Sequence, residues 1–231
     1  MEAVILVGGL GTRLSARLID RPKPMAPIAG RPFLEILLNQ LAGAGCTRVI
    51  LSVGHLRHVI IDAFGAEHRG ISIDYAVEED PLGTGGAIRM ALQKVTEPAA
   101  LILNGDTYLD VDYKALMSKH SAAQAPMTMT MTHVDNIGRY GGVVATEGWV
   151  TGFIEKGQDG PGWINAGVYV LNREFPWPDD LPQRFSFEKD VLAPFLQRLH
   201  PAAYPCDGYF LDIGIPEDLD RAQVQLATVA P

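Results

Sequence analysis

The feature that most constrains the fold is an alternation of strand-like and helix-like segments between residues 3 and 106. Four runs are predicted to be strands, at residues 3–7, 48–54, 71–77 and 99–106; the first and last are apolar enough to be buried, and the third alternates. Three segments between them have helical periodicity, at residues 32–45, 56–65 and 85–95. This repeating order of apolar strands and helices predicts a mostly parallel sheet with helices on both faces.

The second half of the chain is less regular and contains more predicted strand. Strands are predicted at residues 127–134, 141–146, 149–156, 164–171 and 208–214. Alternating methionine and threonine in the first of them indicates a half-buried strand. Helices are predicted at residues 187–199, with Ser186 as the N-cap, and at 216–227, with Pro216 at the first helical position.

Composition excludes several classes of protein. The chain has 231 residues, 47% of them hydrophobic, and a net charge of −8. These values fit one α/β domain, and the acidic balance argues against non-specific nucleic-acid binding and an anionic membrane surface. Cys46 and Cys206 are too far apart in sequence for a zinc or CxxC pattern. We see no secretory leader and no apolar run of membrane-spanning length, so we expect a cytoplasmic protein.

Residues suited to chemistry follow the carboxyl ends of four predicted strands. They lie at residues 8–23, 78–86, 104–106 and 212–216. Because parallel α/β sheets bind ligands beyond the carboxyl ends of their strands, we expect these four stretches to be neighbours in space. The sequence therefore predicts a ligand site at this edge of the sheet.

The first stretch, GGLGTRLSARLIDRPKPM, combines a glycine turn with basic residues. Its glycines let backbone N–H groups approach an anion, Arg13 can bind two phosphate oxygens, and Lys23 lies in a rigid Pro-Lys-Pro frame. A dinucleotide fingerprint would need a third glycine where Arg13 and Leu14 stand, and a Walker A loop would need Gly-Lys-Ser/Thr. Both motifs are excluded, and the alternative interpretation is a solvated basic loop.

Two aspartates at strand ends are candidate metal ligands. Carboxylates are hard oxygen ligands that suit Mg²⁺, and Asp106 and Asp212 could share one ion that offsets phosphate charge. Asp106 could instead cap a helix or close a turn. Asp112 is predicted to cap the next helix, and Glu217 and Asp218 stand where first-turn acids stabilise a helix.

Six motifs together resemble the sugar-1-phosphate nucleotidyltransferase family over essentially the whole chain. They are GGLGTRL…PKPM, EEDPLGTGGAI, NGDTYLD, FIEKG, INAGVYVL and LDIGIPEDL. The resemblance implies a three-layer α/β/α fold in one domain, residues 1–231, that joins a nucleoside triphosphate to a sugar 1-phosphate and releases pyrophosphate. Within the family the motifs are most similar to the branch that transfers a guanylyl group from GTP to a heptose 1-phosphate, for bacterial surface glycans.

The resemblance also implies roles for individual residues. Arg13 would hold the triphosphate, Lys23 would neutralise charge at the α-phosphate, and Asp106 would act with Asp212 in binding Mg²⁺. The nucleotide would be bound by Leu6, Gly8, Gly9, Gly11, Thr12, Glu78, Pro81, Gly83 and Thr84. The sugar phosphate would be bound by Gly105, Gly141, Glu155, Lys156, Asn165 and Gly167. Residues 1–110 would mainly serve the nucleotide and residues 111–231 the sugar phosphate.

Glu78 is the residue expected to read the base. Family members that use uridine or thymidine triphosphates commonly carry glutamine at this point, and glutamine can both donate and accept hydrogen bonds. A carboxylate only accepts, which suits the N1–H and N2 amino groups of guanine and not the carbonyls of uracil. Glu79 could be the reader instead, or residues 78–80 could form only an acidic solvated loop.

Two departures from the family pattern bear on these roles. Ile215 stands where threonine is common, so a hydroxyl contact made there by other members is in doubt. Residues 15–20 read SARLID in place of a Pro-Leu-Thr run, while the ten-residue step from Arg13 to Lys23 is unchanged.

Other functions compete with this expectation. The enzyme rivals use mannose 1-phosphate with GTP, or glucose 1-phosphate with dTTP or UTP. A non-catalytic regulatory protein that binds nucleotide sugars would be expected to lack Arg13, Lys23 or an aspartate, yet all are present. An NAD-binding domain is disfavoured by the missing third glycine. As partners we expect GTP and a sugar 1-phosphate, with no nucleic acid, no membrane, and a monomer or homodimer.

Overall fold

The computed structural model describes residues 1–9, 18 and 20–227. Three predicted site residues lie outside the described residues: Gly11 and Thr12, assigned to the nucleotide, and Arg13, assigned to its triphosphate. Within these ranges the strands are β1 (Glu2–Leu6), β2 (Pro27–Ile28), β3 (Arg31–Pro32), β4 (Arg48–Val53), β5 (Glu67–His68), β6 (Ile71–Val77), β7 (Ala99–Asn104), β8 (Thr107–Leu109), β9 (Met127–Val134), β10 (Gly142–Thr146), β11 (Trp149–Ile154), β12 (Gly162–Asn172), β13 (Ala202–Pro205) and β14 (Phe210–Asp212).

The helices of the same ranges are α1 (Phe33–Gly43), α2 (Arg57–Phe64), α3 (Gly83–Leu92), α4 (Tyr113–Ala123), α5 (Ala193–Leu199) and α6 (Pro216–Gln225). A 3₁₀ turn spans Lys23–Met25, and a π-helical turn at Phe187–Leu192 leads directly into α5. None of the helices in the described part of the chain is long and apolar enough to cross a membrane.

One sheet organises the molecule, with the strand order β10-β11-β13-β9-β12-β7-β1-β4-β6-β5. The strands β7, β1, β4 and β6 are parallel neighbours, as the strand–helix alternation predicted. Strand β12 enters from the second half and pairs antiparallel with both β7 and β9. The mostly parallel sheet of the sequence prediction is therefore confirmed.

Apolar side chains cover both faces of this sheet. Alternate residues of β1 point to opposite sides, so that Ala3 and Ile5 join one core and Val4 the other. The first core is covered by α1, α2, α4 and α6, and the second by α3 and the segment from Phe187 through α5. The two cores on either side of one sheet give the three-layer α/β/α architecture.

Strand β9 differs from its prediction. Its threonines 128, 130 and 132 are as buried as its methionines, although the alternation predicted one solvated face. The reason is its central place between β12 and β13, where helices cover both faces. Thr130 satisfies its hydroxyl by donating to the Val168 carbonyl at 2.6 Å.

The short elements β2, β3, β5, β8 and β13 were not predicted, because two to four residues carry no readable periodicity. Both helix caps are confirmed. Asp112 accepts from the N–H groups of Lys114 and Ala115, and Ser186 accepts from that of Lys189. The predicted helix at 187–199 begins as a π turn, and Pro194 has no N–H with which to continue a regular α-helical ladder there.

Glu2 links β1 to the neighbouring strand β4 and to the loop before β7, at the amino end of the sheet. Its buried carboxylate accepts hydrogen bonds from Arg48 at 2.7 Å, from the Thr96 hydroxyl at 2.9 Å and N–H at 2.6 Å, and from the Glu97 N–H at 3.0 Å. Burial alone would raise the pKa of Glu2. These donors outweigh burial and lower it from 4.5 to about 2.

Because the pKa of Glu2 is lower in the folded state, its carboxylate stabilises the fold above pH 4.5, and this contribution is lost as the pH falls toward 2. We expect Glu2→Gln to lose about 3 kcal/mol of unfolding free energy at pH 7. The difference in unfolding free energy between the variant and wild type should become smaller below pH 4.5. Urea unfolding at several pH values measures this difference, with Glu67→Gln, at an exposed position, as the control. A difference independent of pH would contradict the assignment.

Candidate active site

The carboxyl ends of the parallel strands meet at one edge of the sheet. In the strand register Leu6 lies opposite both Ser52 and Asn104, and Val53 lies opposite Val77. The loops that follow enclose a cleft of about 520 Å³. The sequence-predicted residues that line it are Leu6, Gly8, Gly9, Lys23, Glu78, Pro81, Gly83, Thr84, Gly105 and Asp106.

Two of the lining glycines allow close approach of neighbouring chain segments. A Cβ atom on Gly8 would lie 2.5 Å from Oε1 of Glu78, and one on Gly105 would lie 2.5 Å from the carbonyl oxygen of Leu6. The Gly105 N–H donates to that same carbonyl at 3.0 Å. Gly8 therefore lets the chain directly after β1 lie against Glu78, and Gly105 lets the chain leave β7 against the end of β1.

Glu78 is held rigidly with its carboxylate in the cleft. Only 8% of the residue is exposed. Oε1 accepts a hydrogen bond from the Ser52 hydroxyl at 3.1 Å, and Oε2 accepts one from the Leu82 N–H at 3.0 Å. Each oxygen keeps a second lone pair for a ligand.

Glu79 is directed away from the cleft. Its side chain is 78% exposed and forms an ion pair with Arg57 at 3.2 Å. It does not line the cleft, so the structure favours Glu78 over Glu79 as the acidic residue that a ligand would meet.

Lys23 and Asp106 form an ion pair at the cleft. The distance from Lys23 Nζ to Asp106 Oδ2 is 2.6 Å. The Lys23 side chain is only 10% exposed, because its 3₁₀ turn packs it inward, and that of Asp106 is 38% exposed. The structure thus brings together two residues that are 83 positions apart in sequence and that the sequence analysis placed in one site.

A two-stranded ladder brings Asp212 beside Asp106. Strands β8 and β14 pair antiparallel with Asp212 opposite Thr107, and the Ile213 N–H donates to the Asp106 carbonyl at 2.9 Å. Burial, and then the negative charge of Asp106, raise the pKa of Asp212. Lys23 and Arg139 offset only part of this repulsion.

The two aspartates are a donor pair that fits a divalent cation. They are adjacent carboxylates, one of them with a raised pKa, and a cation between them would relieve their repulsion. No cluster of three or more histidine, cysteine, aspartate or glutamate side chains with metal-binding geometry occurs among the described residues. Any ion here would therefore take its remaining ligands from substrate oxygens or water, as Mg²⁺ commonly does.

The residues predicted for the sugar phosphate are divided between two places. Asn165 donates to Glu188 at 3.0 Å and to the Tyr169 hydroxyl at 2.6 Å, and both of those residues line the cleft. Gly167 has a φ of +71° and lies against the side chain of Asn104, another lining residue. Asn165 and Gly167 thus stand directly behind the cleft wall.

The other three, Gly141, Glu155 and Lys156, lie at the ends of β10 and β11, outside the lining of the cleft. Gly141 has a φ of +80°, and a Cβ atom there would lie 3.5 Å from Cγ of Lys156. The structure therefore groups these residues with each other but does not bring them to the cleft wall.

Sequence reasoning placed Asn104 in the expected site, within the stretch 104–106, but gave it no role, and it missed other residues of the cleft wall, among them Tyr169, Arg184, Phe187 and Glu188. Arg184 is exposed and forms no hydrogen bond or ion pair with another described residue. The segment 185–187 joins the wall because the Phe187 N–H donates to the Thr84 hydroxyl at 2.9 Å. Asn104 had a usable signal, since it directly precedes the Gly-Asp pair at a strand end, whereas 184–188 had none.

Asp218 and Arg139 were also missed as parts of the site. Asp218 does stand in the first turn of α6, as predicted, but it is only 4% exposed. Its Oδ2 forms an ion pair with Arg139, and its Oδ1 accepts from Arg221 at 2.9 Å. Arg139 also contacts Asp212 at 3.3 Å. Burial of an acidic residue cannot be read from its place in a helix.

A cleft at the carboxyl edge of a parallel sheet, with a lysine beside two aspartates, is typical of α/β proteins that bind and transfer phosphate groups. A family model described as nucleotidyl transferase matches residues 2–229, and the chain belongs to this family. The match confirms the resemblance found in the sequence motifs.

Individual relatives are similar over almost the whole chain. D-glycero-α-D-manno-heptose 1-phosphate guanylyltransferase of Aneurinibacillus thermoaerophilus is 43% identical over 227 residues, 98% of each chain. The protein of the same name from Campylobacter jejuni is 41% identical over 94% of this chain and 96% of its own. The crystal structure of HddC from Yersinia pseudotuberculosis complexed with GMP-PN superposes with a TM-score of 0.84 at 37% identity, covering 97% of this chain and 99% of that one.

The close packing at Gly105 predicts a sharp difference between two glycines of the cleft. In Gly105→Ala the new Cβ would meet backbone, which cannot move aside, so we expect a loss of about 1–3 kcal/mol of unfolding free energy. Gly9→Ala meets nothing within 4 Å and is the matched control, with a change within about 0.5 kcal/mol. Urea unfolding of both variants tests this, and equal stabilities would refute the packing argument.

Proposed function

We propose that the protein transfers a guanylyl group from GTP to D-glycero-α-D-manno-heptose 1-phosphate, giving GDP-heptose and pyrophosphate. The observation that carries this proposal is the contact of Lys23 with Asp106 in a cleft that is also lined by Glu78. The named relatives, matched from end to end, support the choice of substrates.

The proposed reaction is one displacement at phosphorus. A phosphate oxygen of the sugar 1-phosphate forms a bond to the α-phosphorus of GTP, and the bond from that phosphorus to the bridging oxygen of pyrophosphate breaks. The attacking oxygen already carries negative charge, so the protein needs no general base. Its task is to hold two anions in line and to neutralise their charge.

The chain supplies cations for this task. Lys23 is fixed by its ion pair and its buried position, so its ammonium would stabilise charge that develops on the α-phosphate. Arg13 would hold the departing phosphates. Arg184, exposed at the cleft wall, is a further guanidinium available to phosphate oxygens.

We propose that Asp106 and Asp212 hold Mg²⁺. Their adjacent carboxylates and the raised pKa of Asp212 support this choice of ligands. When bound, the ion supplies positive charge to phosphate oxygens. The chain's own part is to orient the carboxylates, through the β8–β14 ladder and the hydrogen bond from the Gly214 N–H to Asp212 at 2.6 Å.

The walls of the cleft support a division of labour between the two halves of the chain. Glu78 would accept hydrogen bonds from N1–H and the N2 amino group of guanine through its free lone pairs. Glu188 and Tyr169, on the other half, would meet hydroxyl groups of the sugar, and Asn165 would hold both of them from behind the wall. Gly141, Glu155 and Lys156 would approach the sugar phosphate from the rim.

The cellular setting is part of the same proposal. An enzyme that consumes GTP works where nucleotides are abundant, so we propose that it acts in the cytoplasm, in the synthesis of bacterial surface glycans. The oligomeric state is predicted to be a monomer or a homodimer. Analytical ultracentrifugation of the purified protein would measure it.

The first kinetic prediction concerns the charge at the reacting phosphate. Lys23→Ala and Asp106→Asn should each lower kcat by about a hundredfold to a thousandfold or more, because transition-state charge loses its compensation. Pyrophosphate release measures this, and circular dichroism verifies the fold. Lys114→Ala, exposed on α4, is the control. Activity close to wild type in either site variant would refute the assigned roles.

The second kinetic prediction concerns the base. Glu78→Gln should reduce the preference for GTP over UTP and dTTP by about 10- to 100-fold in kcat/KM, because an amide cannot accept from both guanine donors. Glu79→Gln, next in sequence but outside the cleft, should leave the preference unchanged. A nucleotide profile that moves with Glu79 and not with Glu78 would reverse the assignment.

The sugar is tested by a pyrophosphate-release assay over a grid of substrates. GTP, UTP and dTTP are each paired with heptose 1-phosphate, mannose 1-phosphate and glucose 1-phosphate. We expect the largest kcat/KM for GTP with the heptose. A maximum with mannose 1-phosphate would make the protein a guanylyltransferase of different sugar specificity, and no turnover in any pair would favour the non-catalytic alternative.

A further inference from the structure

Arg139 occupies a position between two aspartates that belong to different parts of the fold. One guanidinium nitrogen, Nη2, lies 3.3 Å from Oδ2 of Asp212, and the other, Nη1, pairs with Oδ2 of Asp218. The arginine side chain is 32% exposed and that of Asp218 only 6%. The planar guanidinium therefore connects the end of β14 to the first turn of α6.

Asp218 is the fixed end of this arrangement. It is buried in the first turn of α6, and its second oxygen accepts a hydrogen bond from Arg221, one turn further along the same helix. Arg221 is 55% exposed and forms no hydrogen bond or ion pair with Asp212. Asp218 thus has two arginine partners, of which only Arg139 reaches the proposed metal ligand.

Arg139 is itself held in place. Its guanidinium lies 4.6 Å from the centre of the Tyr140 ring, and that ring packs edge-on against Phe210 of β14 at 5.7 Å. The loop that carries it, residues 135–141, is tied to residues 157–160 by two backbone hydrogen bonds, Ile137 N–H to Gly160 and Gly157 N–H to Gly138. The same loop ends at Gly141, beside Lys156.

The contacts of Asp212 leave room for a cation. Oδ1 accepts from the Gly214 N–H at 2.6 Å, and Oδ2 faces Arg139. A carboxylate offers about four lone-pair sites, so two donors fix its orientation and leave one site on each oxygen. A side chain at position 214 would come within 2.7 Å of Oδ1, so the glycine is required for this contact.

From these contacts we infer that Arg139 is a positioning residue that orients the Asp212 carboxylate for a divalent cation, with Asp218 as its anchor. The inference rests on the proposed function for the identity of the site. It adds that the loop carrying Gly141, on the sugar-phosphate side, and the metal-binding carboxylate are joined through one side chain. Partners behind a ligand commonly contribute 10- to 100-fold to metal affinity.

The test measures Mn²⁺ binding to the full-length protein by electron paramagnetic resonance, without substrates. Arg139→Gln should weaken Mn²⁺ binding by about 10- to 100-fold. The matched control is Arg221→Gln, which removes the other arginine partner of Asp218 and should leave Mn²⁺ affinity unchanged. Arg139→Lys keeps one charge but cannot bridge two carboxylates with a planar fork, so it should restore affinity only in part. Thermal unfolding verifies that all three variants are folded.

The kinetic readout separates positioning from a general structural loss. In Arg139→Gln the Mg²⁺ concentration for half-maximal activity should rise in parallel with the Mn²⁺ dissociation constant, while the KM for GTP at saturating Mg²⁺ stays near that of wild type. A variant in which only thermal stability falls would overturn the inference.

The remaining outcomes are distinct. Equal Mn²⁺ affinity in wild type and Arg139→Gln, or an equal loss in Arg221→Gln, would overturn the inference and leave the proposed function standing. If Arg139→Gln weakens Mn²⁺ binding but the wild-type protein has no guanylyltransferase activity, the inference is supported and the proposed function is refuted. A wild-type protein that binds no Mn²⁺ would overturn both the inference and the metal assignment.

Discussion

Electrostatic repulsion between the carboxylates of Asp106 and Asp212 is the constraint around which the site is built. The β8–β14 ladder holds them together at the carboxyl edge of the sheet, where burial and then the charge of Asp106 raise the pKa of Asp212. Lys23 offsets the negative charge of Asp106, and Arg139 offsets that of Asp212. Holding two carboxylates close together costs free energy when no cation is bound. The same arrangement is ready for the proposed reaction, which brings two phosphate-bearing substrates and Mg²⁺ to this point.

The cleft itself depends on contacts between the two halves of the chain. Gly85 has no room for a side chain, because a Cβ atom there would lie 2.2 Å from the ring of Phe185, and its N–H donates to the Phe185 carbonyl. Together with the hydrogen bond from Phe187 to Thr84, this contact brings the segment 184–188 into the wall of the cleft. The stretch that contains the predicted nucleotide residues Gly83 and Thr84 therefore also makes room for a segment 103 positions further along the chain.

Sequence reasoning succeeded where periodicity was long or where chemistry followed a strand end. The strands around β1 and the helices between them follow from apolar runs, and Lys23, Glu78 and Asp106 were placed together because parallel strands end at one edge. It failed for β8 and β13, which are too short to show a period, and for the polar face of β9, whose burial depends on its neighbours in the sheet. It placed Asp218 correctly in the first turn of α6 but did not predict its burial or its ion pair with Arg139.

By itself, the sequence determined the strand–helix order, the family through its ordered motifs, and the identity of the charged groups at the strand ends. These are local properties, readable from residue type and spacing. Only the tertiary structure decided that Arg139 stands between Asp212 and Asp218, that Glu78 and not Glu79 turns inward, and that residues 184–188 complete the cleft. Such contacts join residues that are dozens of positions apart. The free energy that stabilises them depends on the packing of the whole fold and cannot be inferred from a short stretch of sequence.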